Sequence, residues 1–303
     1  MIHFNCVTKI FKSDILTQPF LALDKVNFSI PEGSMVGFLG ANGAGKTTSL
    51  KIIMDFIRPT SGEVVFEKSL GSSKLEIFKN IGFLPERPYF YPNLTGEEFI
   101  YFMGKLSEVP HHVITQEIKR WGTRFKIDHA LKRELKTYSK GMLQRTGFLA
   151  TILHNPKLII LDEPISGLDP IGRKELKDVI IEVKKEGKTV FFSSHIVPDV
   201  EEICDRVIFM KEGKLIYDGS VSNLLSSNDQ DYLFTVSDHR STTYETPIKE
   251  KLILADNLSK YVVAAELKDR FLEEVILKKA NIVSLETVKP TLEEIFYHQQ
   301  GAK

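Results

Sequence analysis

The sequence has only two cysteines in 303 residues, Cys6 and Cys204. They lie far apart and have no partners at metal-ligand spacing, which excludes a disulfide framework and points to two reduced thiols in a cytosolic protein. Neither sign of charge is in excess, because 40 Lys and Arg offset 40 Asp and Glu. No global basic field therefore marks a nucleic-acid binder, although local patches remain open. No uninterrupted apolar run approaches the roughly 20 residues that span a bilayer. The first residues, Met1-Ile2-His3-Phe4-Asn5, also lack a charged region followed by a long apolar stretch. The expectation is a cytoplasmic chain that meets a membrane only through a partner. At 42% hydrophobic residues, it can build one large or two smaller cores.

What the chain does have is Gly40-Ala41-Asn42-Gly43-Ala44-Gly45-Lys46-Thr47-Thr48, between the apolar run Met35-Val36-Gly37-Phe38-Leu39 and the helix-like Ser49 to Met54. A strand, a glycine-rich turn and a helix N-terminus in that order form a phosphate cradle, with converging N–H groups and a favourable helix dipole. The spacing G-x-x-x-x-G-K-T is the P-loop. In it Lys46 is expected to reach the β- and γ-phosphates, and the Thr47 hydroxyl to supply a hard oxygen to Mg²⁺.

Period-two alternation predicts strands at His3 to Val7 and Leu23 to Ile30, joined by a polar loop carrying Phe11 and Phe20. Glu63 to Phe66 and Ile81 to Glu86 read as short strands. From Thr95 to about Leu135, apolar residues at three- and four-residue spacing (Phe99, Phe102, Met103, Leu106) predict a helical insertion. Ser139 stands where the N-cap of the next helix belongs, and Gly141 leaves its first turn bare. That end can receive an anion or serve as an ordinary capped terminus.

Lys157-Leu158-Ile159-Ile160-Leu161 reads as a buried strand that delivers Asp162 and Glu163 to its carboxyl end, where ligands bind in parallel α/β sheets. Beside a triphosphate the two can divide the work: Asp162 holds Mg²⁺ through water, and Glu163 orients or deprotonates the attacking water. Thr189 to Ser194 repeats the buried pattern and ends at His195, an imidazole placed to contact a γ-phosphate or position water. Lys211-Glu212-Gly213 signals a hairpin, and a boundary is expected at Gly219-Ser220. Beyond it, strand-like Tyr232 to Val236 and Tyr261 to Ala265, with a helix-like Phe271 to Ala280, read as a small α+β appendage. Thr291 and Glu294 form a capping box there.

Taken in order, the P-loop, Gly82-Phe83-Leu84-Pro85-Glu86, Tyr138-Ser139-Lys140-Gly141-Met142, Leu161-Asp162-Glu163-Pro164, Ser166-Gly167-Leu168-Asp169 and His195 resemble the ATP-binding cassette (ABC) transporter ATPases. The tail closing on Pro290 to Phe296 resembles the appendage of their drug- and sodium-export subfamily. The resemblance implies a P-loop NTPase cassette at 1–220, with a β-rich nucleotide-binding layer, a parallel-sheet core and a helical subdomain at about 87–150. An accessory α+β domain would occupy 221–303. It implies ATP and Mg²⁺ as ligands, Phe11 stacked on adenine with Phe20 as fallback, and Glu163 and His195 as the catalytic pair. Metal contacts would come from Thr47, Glu86 and Asp162. Ser139 and Gly141 would bind the γ-phosphate held by a second cassette, with Asp169 at the shared interface. The region Glu86 to Tyr91 would receive a membrane permease at the cytoplasmic face, so that ATP-driven dimerisation powers export. No nucleic acid is expected, and a cassette acting on nucleic acid or ribosomes is the alternative. The chain departs from the pattern at Glu86, where glutamine is usual, at Lys140 and Met142, and at Ile165.

Overall fold

The computed structural model describes residues 1–12, 19–226, 231–238, 242–255, 257–288 and 292. The chain separates into two compact units, Met1–Ser220 and Val221–Lys303. The first runs β1 (Ile2–Phe11), β2 (Phe20–Ile30), β3 (Met35–Leu39), α1 (Lys46–Ile53), β4 (Ser61–Phe66), α2 (Lys74–Lys79) and β5 (Ile81–Leu84). It continues with α3 (Gly96–Leu106), α4 (His111–Arg124), α5 (Lys140–Ile152), β6 (Leu158–Asp162), α6 (Pro170–Lys185), β7 (Thr189–Ser194), α7 (Val197–Ile203), β8 (Arg206–Lys211) and β9 (Lys214–Ser220).

The central sheet has the order β5-β6-β7-β3-β8-β9, parallel except for the β8–β9 hairpin. Strands covered on both faces read as continuous apolar runs, which is why every residue of β3, β6 and β7 is buried. Gly37 interrupts the run in β3 for a packing reason: a Cβ there would stand 2.3 Å from a Val200 methyl of α7. Because β5, β6, β7 and β3 are adjacent and parallel, their carboxyl ends open side by side, which gathers four functional loops at one edge.

A second sheet, β2-β1-β4, is antiparallel. It joins the first through aromatic packing. Phe4 stacks on Phe28 with ring centroids 4.1 Å apart, and Phe38 and Phe191 from the central sheet, 5.1 Å from each other, continue the cluster. Here the sequence reading needs correcting. Phe11 and Phe20 are not in a loop but close β1 and open β2, paired directly across the hairpin.

Helices α3 to α5 form the insertion. A capping box of Thr95 and Glu98 starts α3, and the Ser139 side chain accepts from Met142 N–H at 3.2 Å to start α5. Opposite charges face each other between this insertion and α6. Arg120 pairs with Glu186, Arg124 with Glu182 at 3.3 Å, Lys126 with Glu175 at 2.6 Å and Arg145 with Glu175 at 2.5 Å. The acidic partners are seven and four residues apart along α6, so they share one face of it.

The second unit begins with α8 (Val221–Ser226) and continues with β10 (Asp231–Ser237), β11 (Glu250–Ala255), β12 (Leu258–Val263), α9 (Lys268–Leu277) and β13 (Asn281–Val288). Its antiparallel sheet has the order β11-β12-β10-β13. Phe234, Val236, Tyr261 and Val263 from the strands pack with Phe271 and Val275 of α9. Strands β11 and β13 were not anticipated from the sequence. The Thr291–Glu294 capping box lies outside the described residues.

Glu175 is the node of the ion-pair ladder. The hydrogen bond from Lys126 is the largest influence holding its carboxyl below the ordinary range, and Arg145 adds to it. Removing it leaves Arg145, whose side chain is 15% exposed, without its carboxylate and with its bond to the Phe125 carbonyl at 3.3 Å. Glu175→Ala should therefore cost on the order of 1–3 kcal/mol and lower Tm by several degrees. Lys126→Ala, at an exposed end, should cost about half a kcal/mol or less. Thermal melts of the two variants check the ranking, and equal Tm values would remove Glu175 from this role.

Candidate active site

The turn after β3 closes on itself through Ala44 N–H donating to the Ala41 carbonyl at 3.1 Å. Gly45 then caps α1 at φ 105, with no side chain occupying the helix N-terminus. Only glycine fits there: a Cβ would lie 2.7 Å from a Leu23 methyl and 2.8 Å from the Ala22 carbonyl. The first N–H groups of α1 thus stay available to an anion. They face a cavity of about 380 Å³ walled by Ala41, Asn42, Gly43, Gly45, Lys46, Thr47 and Thr48, with Glu86, Glu163, Ser166 and His195 opposite and Phe20 and Ala22 on a further side. Gly40 and Ala44 back the loop rather than line the cavity.

Three strand ends supply the charges. Lys46 is buried, and its ammonium donates to the Gly40 carbonyl at 2.5 Å while standing 3.5 Å from Glu163 Oε1. The other oxygen of Glu163 lies 2.8 Å from His195 Nδ1. Glu163 is 11% exposed and His195 43%, so the pair spans from the interior to the cavity mouth. Asp162, the last residue of β6, is buried, and burial is the main cause that pushes its carboxyl up. A hydrogen bond from Ser193 acts the other way, the negative charges of Glu163 and Glu86 raise it further, and Lys46 lowers it.

Ser193 was read only as part of a strand. It stands directly opposite Asp162 in the β6–β7 register. Its hydroxyl donates to Asp162 Oδ1 at 2.6 Å and accepts the Glu163 N–H at 2.9 Å. The next residue, Ser194, accepts the Ile196 N–H at 2.9 Å and so turns the chain at His195. Two hydroxyl residues ending an otherwise apolar strand were the available signal.

Not every anticipated residue meets here. Phe20 rather than Phe11 is on the cavity wall, and the Lys9 ammonium sits 5.0 Å above the Phe11 ring. Asp162 borders an adjoining cavity of about 310 Å³, together with Thr47, Glu86 and Phe56. Ser139 and Gly141 line neither. Among the described residues, no three His, Cys, Asp or Glu side chains converge closely enough to hold a metal ion unaided. No described helix is long and apolar enough to cross a membrane.

The chain is similar to known proteins along most of its length. The family described as ABC transporter matches residues 23–166. An uncharacterized ABC transporter ATP-binding protein of Nostoc sp., all4389, is 35% identical over 289 residues, spanning 94% of this chain and 84% of the relative. The bacitracin transport ATP-binding protein BcrA of Bacillus licheniformis is 36% identical over 77% of this chain and 76% of its own length. Among solved structures, the dimeric structure of MJ0796, a bacterial ABC transporter cassette, matches with a TM-score of 0.65 at 25% identity, covering 73% of this chain and 99% of that one. With relatives of this likeness along most of its length, the chain belongs to the ABC transporter ATP-binding proteins, the ATP-hydrolysing subunits of those transporters.

Proposed function

We propose that the chain holds ATP between Phe20 and the P-loop, hydrolyses it through Glu163 when two copies close face to face, and drives a separate permease in export. The observation that carries this reading is the meeting of Lys46, Glu163 and His195 at the P-loop cavity within 3.5 Å of one another in sequence of contact. Lys46 and the first N–H groups of α1 bind the phosphates. Glu163 Oε2, steadied by the His195 ring, takes the proton of the attacking water, whose oxygen bonds to the γ-phosphorus as the bond to the ADP oxygen breaks. Ser139 and Gly141 line neither cavity of their own copy, and a second copy places that α5 N-terminus against its neighbour's γ-phosphate.

The residues fit magnesium. The Thr47 hydroxyl and the carboxylates of Asp162 and Glu86 border one cavity, and all are hard oxygen donors. So small a donor set suits an ion that keeps several waters and completes its shell with phosphate oxygens. When bound, Mg²⁺ neutralises charge on the β- and γ-phosphates.

For the permease, support comes from exposed aromatics just beyond Glu86. Tyr89 and Tyr91 pack edge to face at 5.5 Å, and Tyr91 and Phe102 at 5.4 Å, yet all three remain exposed. A patch of this kind at the start of the insertion suits an amphipathic cytoplasmic helix. The direction of transport rests on the resemblance to the drug- and sodium-export subfamily, and the similar BcrA is by name a bacitracin transport protein.

Three measurements follow. Glu163→Gln should keep ATP affinity within about threefold, lower turnover by 100-fold or more, and accumulate as an ATP-bound dimer in size-exclusion chromatography. Near-normal hydrolysis would remove Glu163 from the role. Phe20→Ala should raise the ATP KM on the order of tenfold through lost stacking, while Phe11→Ala leaves it within twofold; the reverse pattern restores Phe11 as the adenine contact. Tyr89→Ser with Tyr91→Ser should leave the ATPase activity of the purified subunit unchanged and abolish co-purification with a multi-span membrane protein. Undiminished recovery of that protein moves the docking site elsewhere.

A further inference from the structure

We infer that Ser193 is a positioning residue for hydrolysis, the single group that fixes both the Asp162 carboxylate and the backbone of Glu163; the inference rests on the reading of Glu163 as base. Glu163 occupies the left-handed region at φ 50, a conformation that disfavours any residue with a Cβ and persists only where the surroundings hold it. Two hydrogen bonds do so. The Glu163 N–H donates to Ser193 Oγ at 2.9 Å, and the Glu163 carbonyl accepts from Ser166 N–H at 3.1 Å.

The hydroxyl has one proton and two lone pairs. An ionised Asp162 can only accept, so the proton of Ser193 is committed to Asp162 Oδ1 at 2.6 Å, and a lone pair is left for Glu163 N–H. Ser193 is fully buried, so its bond to Asp162 lies out of solvent, while the bond from Glu163 is partly buried. The direction of the bonds is therefore fixed by the charge on Asp162. Any shift of that carboxylate moves the hydroxyl and, through it, the peptide that aims Glu163 at the cavity. A carboxylate displaced by about 1 Å loses on the order of 100-fold in rate, whereas β3 meets Ser193 through the backbone pairing of Phe38 and the two hydrogen bonds of the hydroxyl go to Asp162 and Glu163.

The test compares Ser193→Ala, Ser193→Cys, Glu163→Gln and the Ala–Gln double variant of the full chain, measuring kcat, KM, ATP affinity and Tm. Ser193→Ala should lower kcat on the order of 30-fold with ATP affinity and KM within about threefold, and Ser193→Cys, which keeps the shape and a weak donor and acceptor, should fall between it and the wild type. In single-turnover assays the double variant should be no slower than Glu163→Gln alone, because the group being aimed is already disabled. A wild-type kcat for Ser193→Ala beside an inactive Glu163→Gln overturns the inference and leaves the base assignment standing. A further additive loss in the double variant overturns it as well, since Ser193 would then act apart from Glu163. An active Glu163→Gln instead removes the reading beneath it. If Ser193→Ala does not fold, the Cys variant carries the same comparison.

Discussion

The carboxylate of Asp162, carried out of water at the end of β6, is the charge the rest of the site answers to. It is buried, and it lies close enough to Glu163 and Glu86 for their charges to oppose its ionisation, with Lys46 the counterweight. Three carboxylates against one ammonium make this wall of the cavity net negative. A nucleoside triphosphate is itself strongly anionic. The two can approach only if cation enters with the ligand, so hard oxygen donors around Thr47 are a consequence of charge balance as much as of coordination preference. Glutamate at position 86 sharpens this demand, because an amide there would carry no charge.

The backbone makes this arrangement tolerable. Parallel strands packed between covering layers bring four carboxyl ends to one line, and the P-loop leaves bare N–H groups beside them. Lys46 is shared between Gly40, Ala41 and Glu163, so a phosphate and Glu163 would compete for one ammonium. Lys46 is thereby tied to both binding and chemistry. Withdrawing it toward the phosphate frees Glu163 Oε1 while Oε2 keeps its contact with His195.

Features that depend on adjacent residues were legible in the sequence. The P-loop, the Asp162-Glu163 strand end and His195 each follow an apolar run, and a strand followed by a turn is a local pattern. Ser193 was not legible, because its role depends on the register that sets it opposite Asp162, and registers between parallel strands are fixed by helices far away in sequence. The exchange of Phe11 for Phe20 has the same origin in hairpin register. Strand β11 escaped because alternation requires one buried face, and all six of its residues are exposed. Strand β13 alternates only over its first half before Leu285, Glu286 and Thr287 all face outward. The charge ladder on α6 was hidden because its cations come from α4, the turn after it and α5, and no periodicity in α6 names them.

That ladder also says how the insertion is held. The core around Phe4, Phe28, Phe38 and Phe191 is apolar and close-packed, and a change of spacing there costs contact area at once. The seam between the insertion and α6 carries ion pairs at its edge, most of them partly in water, where each is worth about 0–1 kcal/mol and tolerates some change in geometry. A rotation of the insertion that lengthens Arg124–Glu182 or Arg120–Glu186 therefore meets little resistance, whereas Arg145 and Glu175, the more enclosed pair, act as its pivot. Ser139 and Gly141 open α5 and so belong to the insertion. The physics of the seam thus leaves the insertion, with that end of α5, able to adjust against α6 at low cost.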